Sequence, residues 1–288
     1  MAKIIKMHPS GNQGENDKNA PTSPIADFLN FLHSEMQNGH KSTLFDNEDE
    51  FDDNDEFNDD DEGLLDDEAY LIGEKLPKQK FLGKSVREFH IRIKLNYAPT
   101  KIWRELVVPS NITLELLAYV LIQAMGWHHE HLFQFKGKHD TYYINSREFK
   151  EHRDSFFGFF SPVNYRNSEK TSLDMVLQPK GERLKFEYDF GDSWEHDLWV
   201  KAAREYAADE EPVIRVLKAK GACPPEDCGG VWGYEELIEL SHKKRKSADD
   251  KNRLEWYDIP NNFDPDECDQ ESLQDNVEAL WKRIKKEM

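Results

Sequence analysis

The sequence predicts an α+β domain preceded by a disordered acidic arm. Three features lead to this prediction. Most of the negative charge lies in the first 78 residues, the run from Phe89 to Leu95 has the periodicity of a half-buried strand, and the run from Leu114 to Met125 has that of an amphipathic helix. The order strand, strand, helix, strand is that of a β-grasp-like unit, in which a helix crosses one face of a mixed sheet.

The N-terminal arm, residues 1–78, carries 6 Lys and 20 acidic residues and so accounts for −14 of the net charge of −19. Residues 1–25 have the Asn-, Gly-, Ser- and Pro-rich composition of disordered chains. Ser23-Pro24 and the apolar residues that follow predict a short helix near residues 25–36. Between Asp46 and Glu68, 15 of 23 residues are acidic, and charge repulsion at that density prevents collapse. This tract is either a solvating linker or a motif for a basic protein partner or a nucleic-acid mimic.

Residues 79–288 are predicted to form one α+β domain, which contains all seven Trp residues of the chain. Thr113 is a good N-cap for its first helix, and Gly126 is placed to end that helix in a left-handed conformation. Residues 145–170 show no period and are predicted to be a long loop. The other predicted elements are strands at 89–95, 102–108, 131–136 and 142–144, a helical turn at 172–177, a hairpin of strands 184–188 and 196–200, a strand at 213–219, and helices at 234–240 and 273–287.

The composition predicts a soluble cytoplasmic protein without a membrane partner. No apolar run approaches the roughly 20 residues that cross a bilayer. Lys3 and Lys6 are not followed by the apolar stretch of a signal peptide. The three cysteines, Cys223, Cys228 and Cys268, are too few and odd in number for a disulfide framework, which fits a reducing compartment.

Two segments combine Gly, Pro, Trp, Asp and Cys more densely than packing requires. The first is residues 188–196 and the second is residues 223–234. Both place carboxylates on turns beside aromatic residues, so we predict that they lie side by side, with a carboxylate of the second segment within ~10 Å of Asp192 or His196. The candidate binding residues are Asp189, Asp192, Trp194, His196, Glu226, Asp227 and Tyr234.

These residues admit three interpretations. In the simplest, Asp192 caps its own hairpin, since an Asp side chain accepts hydrogen bonds from backbone N–H groups two residues on. In the second, Asp189, Asp192 and His196 converge at one end of the sheet and bind a divalent cation or perform acid–base chemistry. The third is ligand recognition without chemistry. Because strand residues alternate between faces, His196 is expected to share a face with Trp194.

The helix end at Gly126-Trp127, the strand that contains His131, and the segments YDFGDSWEH and CPPEDCGGVWGY together resemble the plasmid pRiA4b ORF-3-like family. The resemblance spans about residues 89–263 and implies an α+β fold without specifying a substrate. Some members bear names that refer to transposon passengers or resolvases, so the resemblance implies an association with mobile genetic elements. The chain departs from the family pattern at Phe133, where a second histidine is expected, so no role of that histidine carries over.

No metal ligand and no cofactor are predicted. Cys223 and Cys228 are spaced at the upper limit of a zinc knuckle, and a tetrahedral site needs two further ligands. Cys268 with His131 or His242 would have to supply them, so buried free thiols are the simpler interpretation. The protein is therefore predicted to fold without bound zinc. The neighbouring histidines at positions 128, 129 and 131 are interpreted as solvent-facing loop residues.

The favoured function is a non-enzymatic binding or adaptor module of unknown partner. The sequence contains no phosphate-binding loop, nucleophile elbow or HExxH motif, and no catalytic residue is assigned. One alternative is nucleic-acid binding through basic patches at His242–Lys246 and Lys282–Lys286, which the acidic charge of the chain disfavours. The other is a metal-dependent enzyme built from Asp189, Asp192, His196, Glu226 and Asp227.

Overall fold

The computed structural model describes residues 76–84, 87–155, 163–179, 181–207 and 209–288. Residues 1–75 of the predicted acidic arm, including the predicted short helix near residues 25–36, lie outside the described residues. The statements below concern the described residues.

Eight strands form one mixed sheet, which confirms the predicted α+β class. They are β1 (Arg87–Leu95), β2 (Trp103–Pro109), β3 (Phe133–Lys136), β4 (Thr141–Ile144), β5 (Asn164–Asn167), β6 (Leu184–Tyr188), β7 (Trp194–Glu205) and β8 (Arg215–Lys220). Their order across the sheet is β5-β4-β3-β6-β7-β1-β2-β8. Neighbouring strands are antiparallel except β4 and β5, which are parallel. The hairpin β6–β7 therefore lies between β3 and the first hairpin, β1–β2.

Six helices accompany the sheet within the described ranges. They are α1 (Leu114–Met125), α2 (Ser146–Asp154), α3 (Leu173–Val176), α4 (Gly230–His242), α5 (Ala248–Trp256) and α6 (Gln270–Lys286). As predicted, the side chain of Thr113 accepts a hydrogen bond from the Leu116 backbone and begins α1, and Gly126 ends it at φ 110°. None of these helices is long and apolar enough to cross a membrane.

The core lies between one face of the sheet and helices α1 and α6. Strand β1 shows why the alternation in the sequence was informative: Phe89, Ile91, Ile93 and Leu95 are fully buried, whereas the residues between them face the other side of the sheet. Helix α1 is buried on nearly all sides, because it packs against the sheet and against α6. The first hairpin and α1 thus form the centre of the domain.

The prediction of a long loop at 145–170 was wrong for most of its described part, which contains α2 and β5. Helix α2 has no buried residue, so it carries no apolar period in the sequence. Its start depends on local hydrogen bonds instead: Asn145 Oδ1 accepts from the Glu148 backbone at 2.9 Å, and Asn145 Nδ2 donates to Glu148 Oε2 at 2.7 Å. Strand β5 is a short edge strand without a buried position, so no alternation of apolar residues marks it in the sequence.

Several strands and helices near the site begin or end at residues other than the predicted ones. Strand β3 begins at Phe133 rather than at residue 131, so His131 lies in the connection between α1 and β3. Strand β7 begins at Trp194 and extends to Glu205, well beyond the predicted end. Helix α4 begins at Gly230, four residues earlier than predicted, directly after the second candidate segment. Helix α5 has no counterpart in the sequence prediction; the side chain of Ser247 caps it.

Leu76, three residues before the predicted start of the domain at residue 79, is buried in the core. We predict that a chain that begins at residue 75, without the acidic arm, unfolds cooperatively with a Tm within a few degrees of that of the full chain. The described domain contains a continuous apolar core, and the acidic tract contributes charge repulsion rather than apolar surface. Calorimetry of both chains provides the measurement. Loss of the cooperative transition after truncation would show that the arm packs on the domain.

Candidate functional site

The two segments singled out in the sequence meet at one end of the sheet, as predicted. The backbone N–H of Gly229 donates to Asp192 Oδ2 at 3.2 Å. Gly230 has a φ of 67°, and a Cβ atom at this position would lie 2.5 Å from the backbone oxygen of Asp192. A glycine is therefore required for the second segment to approach the turn between β6 and β7 this closely.

The turn between β6 and β7 is held by Asp189 rather than by Asp192. Asp189 has a φ of 56°, and its Oδ1 accepts from the backbone N–H groups of Gly191 at 2.8 Å and Asp192 at 3.3 Å. The expectation that Asp192 caps its own hairpin was therefore wrong. The side chain of Asp192 accepts from the other segment instead, and so joins the two loops.

Glu226 attaches the second segment to the end of α1. Its Oε2 accepts from the backbone N–H of His128 at 3.0 Å, and its Oε1 accepts from the Tyr188 hydroxyl at 2.5 Å. Burial and the Glu226 carboxylate both raise the pKa of Tyr188, so this hydroxyl remains a donor. Trp127 Nε1 also donates to the backbone oxygen of Pro224 at 2.9 Å. Glu226 therefore has a positioning role.

Asp227 is mostly exposed, and it lies beside a histidine that the sequence analysis had set aside. His131 Nε2 is 3.3 Å from Asp227 Oδ1 and 3.8 Å from Asp189 Oδ2. These three ligand-type atoms all lie within 4.8 Å of one another. One imidazole and two carboxylates thus converge, but the imidazole is that of His131 and not that of His196.

The structure places His196, Trp194 and Tyr234 in the core. All three side chains are fully buried, and Trp194 and His196 share a face of β7 as predicted. His196 Nδ1 lies 3.3 Å from the backbone oxygen of Phe186, and burial lowers the pKa of His196 to about 3. The Tyr234 hydroxyl donates to the backbone oxygen of Ala222 at 3.2 Å. The predicted convergence of His196 with the carboxylates was wrong, because the alternation of β7 turns its ring inward.

The neighbouring histidines are not the solvent-facing residues that the sequence analysis expected. The rings of His129 and Tyr119 are stacked with their centroids 3.7 Å apart, and burial lowers the pKa of His129 to about 4. His131 is partly buried beside Tyr188, with ring centroids 5.8 Å apart. His129 stacks on a residue of α1, and His131 lies beside a residue of β6, so their burial depends on packing that the local sequence does not show.

The three cysteines are free. Burial raises the pKa of Cys228 to about 12, and its thiol lies 3.8 Å from the backbone oxygen of Gly230. The His131, Asp189 and Asp227 cluster contains no cysteine. The prediction that the protein folds without zinc stays a prediction.

Part of each predicted basic patch is paired locally. Lys243 Nζ lies 2.5 Å from Asp250 Oδ2, and Lys246 Nζ donates to the backbone oxygens of Ser241 and Lys243. Lys282 pairs with Glu278 on α6, and Arg283 pairs with Glu287 just after its end. These pairs reduce the charge that either patch offers to a phosphate backbone.

The family comparison covers both loops and all eight strands of the sheet. The model of the plasmid pRiA4b ORF-3-like protein family matches residues 87–272, which include both segments. The chain belongs to this family. An uncharacterized protein, y4hQ, from Sinorhizobium fredii is 32% identical over 171 residues, which are 58% of this chain and 78% of the relative.

A solved structure supports the fold of this pRiA4b ORF-3-like protein. It is that of MM3350, a protein of unknown function from Methanosarcina mazei Go1, with a TM-score of 0.52 and 23% identity. The match covers 65% of this chain and 98% of the other chain. At this level of identity the similarity concerns the fold alone.

Proposed function

We propose that this pRiA4b ORF-3-like domain is a non-enzymatic binding module that recognises a Lys- or Arg-bearing segment of a protein partner. The observation that carries the proposal is the exposure of large apolar side chains around the two loops. Seven described large apolar side chains are exposed, and four of them, Leu132, Phe190, Trp232 and Trp256, lie beside the residues that form the site.

Each of these four residues is tied to the site by its backbone. Leu132 follows His131, and its carbonyl oxygen accepts from the Asp189 N–H at 2.9 Å. Phe190 follows Asp189 in the turn. Trp232 lies in the first turn of α4, two residues after Gly230, and is 76% exposed. Trp256 ends α5, is 83% exposed and precedes Tyr257.

Tyr257 connects α5 to the second loop, because its hydroxyl donates to the backbone oxygen of Asp227 at 2.9 Å. Exposed large apolar side chains that flank the loops of one site are typical of interaction surfaces. We refer to Leu132 and the three aromatic residues Phe190, Trp232 and Trp256 as the aromatic rim.

The charge of the loops indicates the chemistry of the partner. Asp192 and Asp227 in the two loops, and Glu130 beside His131, are each within five residues along the chain of a member of the aromatic rim, so the rim is accompanied by carboxylates. A Lys or Arg side chain satisfies both features, because its charge pairs with carboxylates and its cationic head stacks on aromatic rings. This combination favours a basic segment over a nucleic acid, whose phosphates the carboxylates would repel.

We predict that replacing Trp232 and Trp256 together by alanine weakens the binding of a Lys- and Arg-rich peptide by about tenfold or more, since aromatic contact residues often contribute about 2 kcal/mol. Fluorescence anisotropy of a labelled peptide with the full chain provides the measurement. Met175→Ala is the matched control, because Met175 is an equally exposed apolar residue next to Asp174, which bonds to Ser110 at the far end of β2.

A second variant tests the electrostatic part. Glu130→Gln should lower the affinity of the peptide at low salt, because it removes a carboxylate that attracts the cationic peptide. The affinity should also depend less on salt, because salt then screens one attraction fewer. If the wild-type chain binds no basic peptide, or if Met175→Ala weakens binding as much as the double Trp variant, the proposal is wrong.

A further inference from the structure

We propose that His131, Asp189 and Asp227 form a binding site for a divalent transition-metal ion such as Mn²⁺ or Zn²⁺. The three side chains come from three separate parts of the chain: the connection between α1 and β3, the turn between β6 and β7, and the loop before α4. The inference does not depend on the aromatic rim or on a basic partner, since it concerns the protein alone.

The spacing of the ligand atoms fits a single ion. Metal–nitrogen and metal–oxygen bonds of about 2.1 Å place neighbouring ligand atoms roughly 3 to 3.5 Å apart. His131 Nε2 and Asp227 Oδ1 are 3.3 Å apart, and the Asp189 oxygen lies 3.8 Å from the same nitrogen. The two Asp oxygens lie within 4.8 Å of each other, so one ion could bind all three atoms after the exposed Asp227 side chain moves toward Asp189.

An independent observation concerns the hydrogen bond that His131 Nε2 lacks. The side chain of Asp189 is 8% exposed, and its Oδ1 is held by two backbone N–H groups, whereas its Oδ2 faces His131. His131 Nε2 is buried and makes no hydrogen bond, although it lies between the two carboxylates. Buried polar atoms normally have partners, and leaving them without one is costly. A cation bound between His131 Nε2 and Asp189 Oδ2 would give this nitrogen a partner.

The surrounding structure positions the ligands without occupying them. Glu226 accepts a hydrogen bond from the Tyr188 hydroxyl. The oxygen of this hydroxyl lies 3.1 Å from the backbone nitrogen of Glu130 and 3.4 Å from that of His131, so Tyr188 supports the backbone at His131. The Tyr257 hydroxyl holds the carbonyl group of Asp227. Such supporting contacts orient metal ligands in proteins.

The ligand set indicates the class of ion. One imidazole nitrogen favours Zn²⁺ and other transition metals, whereas carboxylate oxygens also suit Mn²⁺. With three protein ligands, coordination positions stay open toward the exposed side of Asp227. The site would therefore accept water or an oxygen ligand from a partner, and we assign no reaction to it.

The test measures binding of Mn²⁺ and of Zn²⁺ to the full chain after treatment with a chelator, by isothermal titration calorimetry. We expect one strong site per chain. His131→Gln and Asp227→Asn should each weaken binding at that site by at least about tenfold, because loss of even a supporting contact costs 10- to 100-fold. The acidic arm contributes any weak additional binding equally in every variant.

Two controls match the ligands in residue type. Asp258→Asn changes another exposed Asp with a positive φ, as Asp227 has, and His139→Gln changes a histidine outside the cluster; both variants should bind the ion as the wild-type chain does. Thermal unfolding without metal shows whether each variant is folded. If His131→Gln does not fold, the result for Asp227→Asn decides the test. Absence of a strong site in the wild-type chain, or equal binding by Asp227→Asn, would overturn the proposal and leave His131 as an ion-pair partner of the two carboxylates.

Discussion

Replacing Arg104 by alanine is expected to lower the free energy of unfolding by about 4 kcal/mol, since it leaves several buried carbonyl groups without donors. Arg104 lies on β2, and its side chain is almost fully buried. Its Nε donates to the Ala124 carbonyl at 2.8 Å, and its Nη2 lies 3.4 Å from the Met125 carbonyl. Its Nη1 donates to the carbonyls of Trp103 at 3.0 Å and Lys220 at 2.9 Å.

The position of this cation explains the size of the expected effect. The last carbonyl groups of a helix have no partner within the helix, and the C-terminal end of the helix dipole favours positive charge. Arg104 provides both the hydrogen-bond donors and the positive charge at the C-terminal end of α1, and it also joins that helix to β8. Arg104→Lys should recover only part of the loss, because an ammonium group cannot reproduce the planar fork of donors.

Urea denaturation of Arg104→Ala and of the control Arg147→Ala provides the measurement. Arg147 is an exposed residue of α2 that pairs with Glu151 one turn away, so its loss should change the unfolding free energy by no more than about 0.5 kcal/mol. A loss below about 1 kcal/mol for Arg104→Ala would mean that water replaces the guanidinium at the end of α1.

The second large effect is expected for Gly233→Ala, which should destabilise the domain by about 3 kcal/mol. In an ordinary helix this change is favourable by about 1 kcal/mol, because alanine has the higher helix propensity. Here a Cβ atom on Gly233 would overlap the backbone oxygen of Cys228. The tertiary structure thus reverses the sign that propensity predicts.

The clash cannot be relieved by a side-chain rotation, since both partners are backbone. The Gly233 N–H donates to the Gly229 carbonyl at 3.1 Å, and the Gly229 N–H is bonded to Asp192. A displacement of Cys228 would therefore separate the two loops of the site. We expect Gly233→Ala to lower the Tm and to weaken binding of both the metal ion and the basic peptide.

Glu235→Ala is the matched control, because Glu235 is an exposed residue of the same helix. This change should leave the unfolding free energy within about 0.5 kcal/mol of the wild-type value. Thermal and urea unfolding of both variants provide the comparison. Increased stability of Gly233→Ala would show that the loop before α4 moves freely enough to accept a methyl group.

The elements that the sequence determined are those whose signal is local. The alternation from Phe89 to Leu95 reflects a strand with one buried face, and Thr113 and Gly126 mark the two ends of α1 by their own backbone preferences. The meeting of the two loops was also predictable, because both segments are dense in turn residues and carboxylates. Family membership followed from the same two segments.

The sequence named Asp189 and Asp227, but the tertiary structure decided which histidine joins them. His131 joins Asp189 and Asp227 only because β3 pairs with β6 and thereby brings the end of α1 to the turn after β6. His196 was a plausible ligand in the sequence, but the register of β7 buries its ring. Side-chain alternation shows that His196 and Trp194 share a face, and only the packing of the sheet against α1 shows which face is buried.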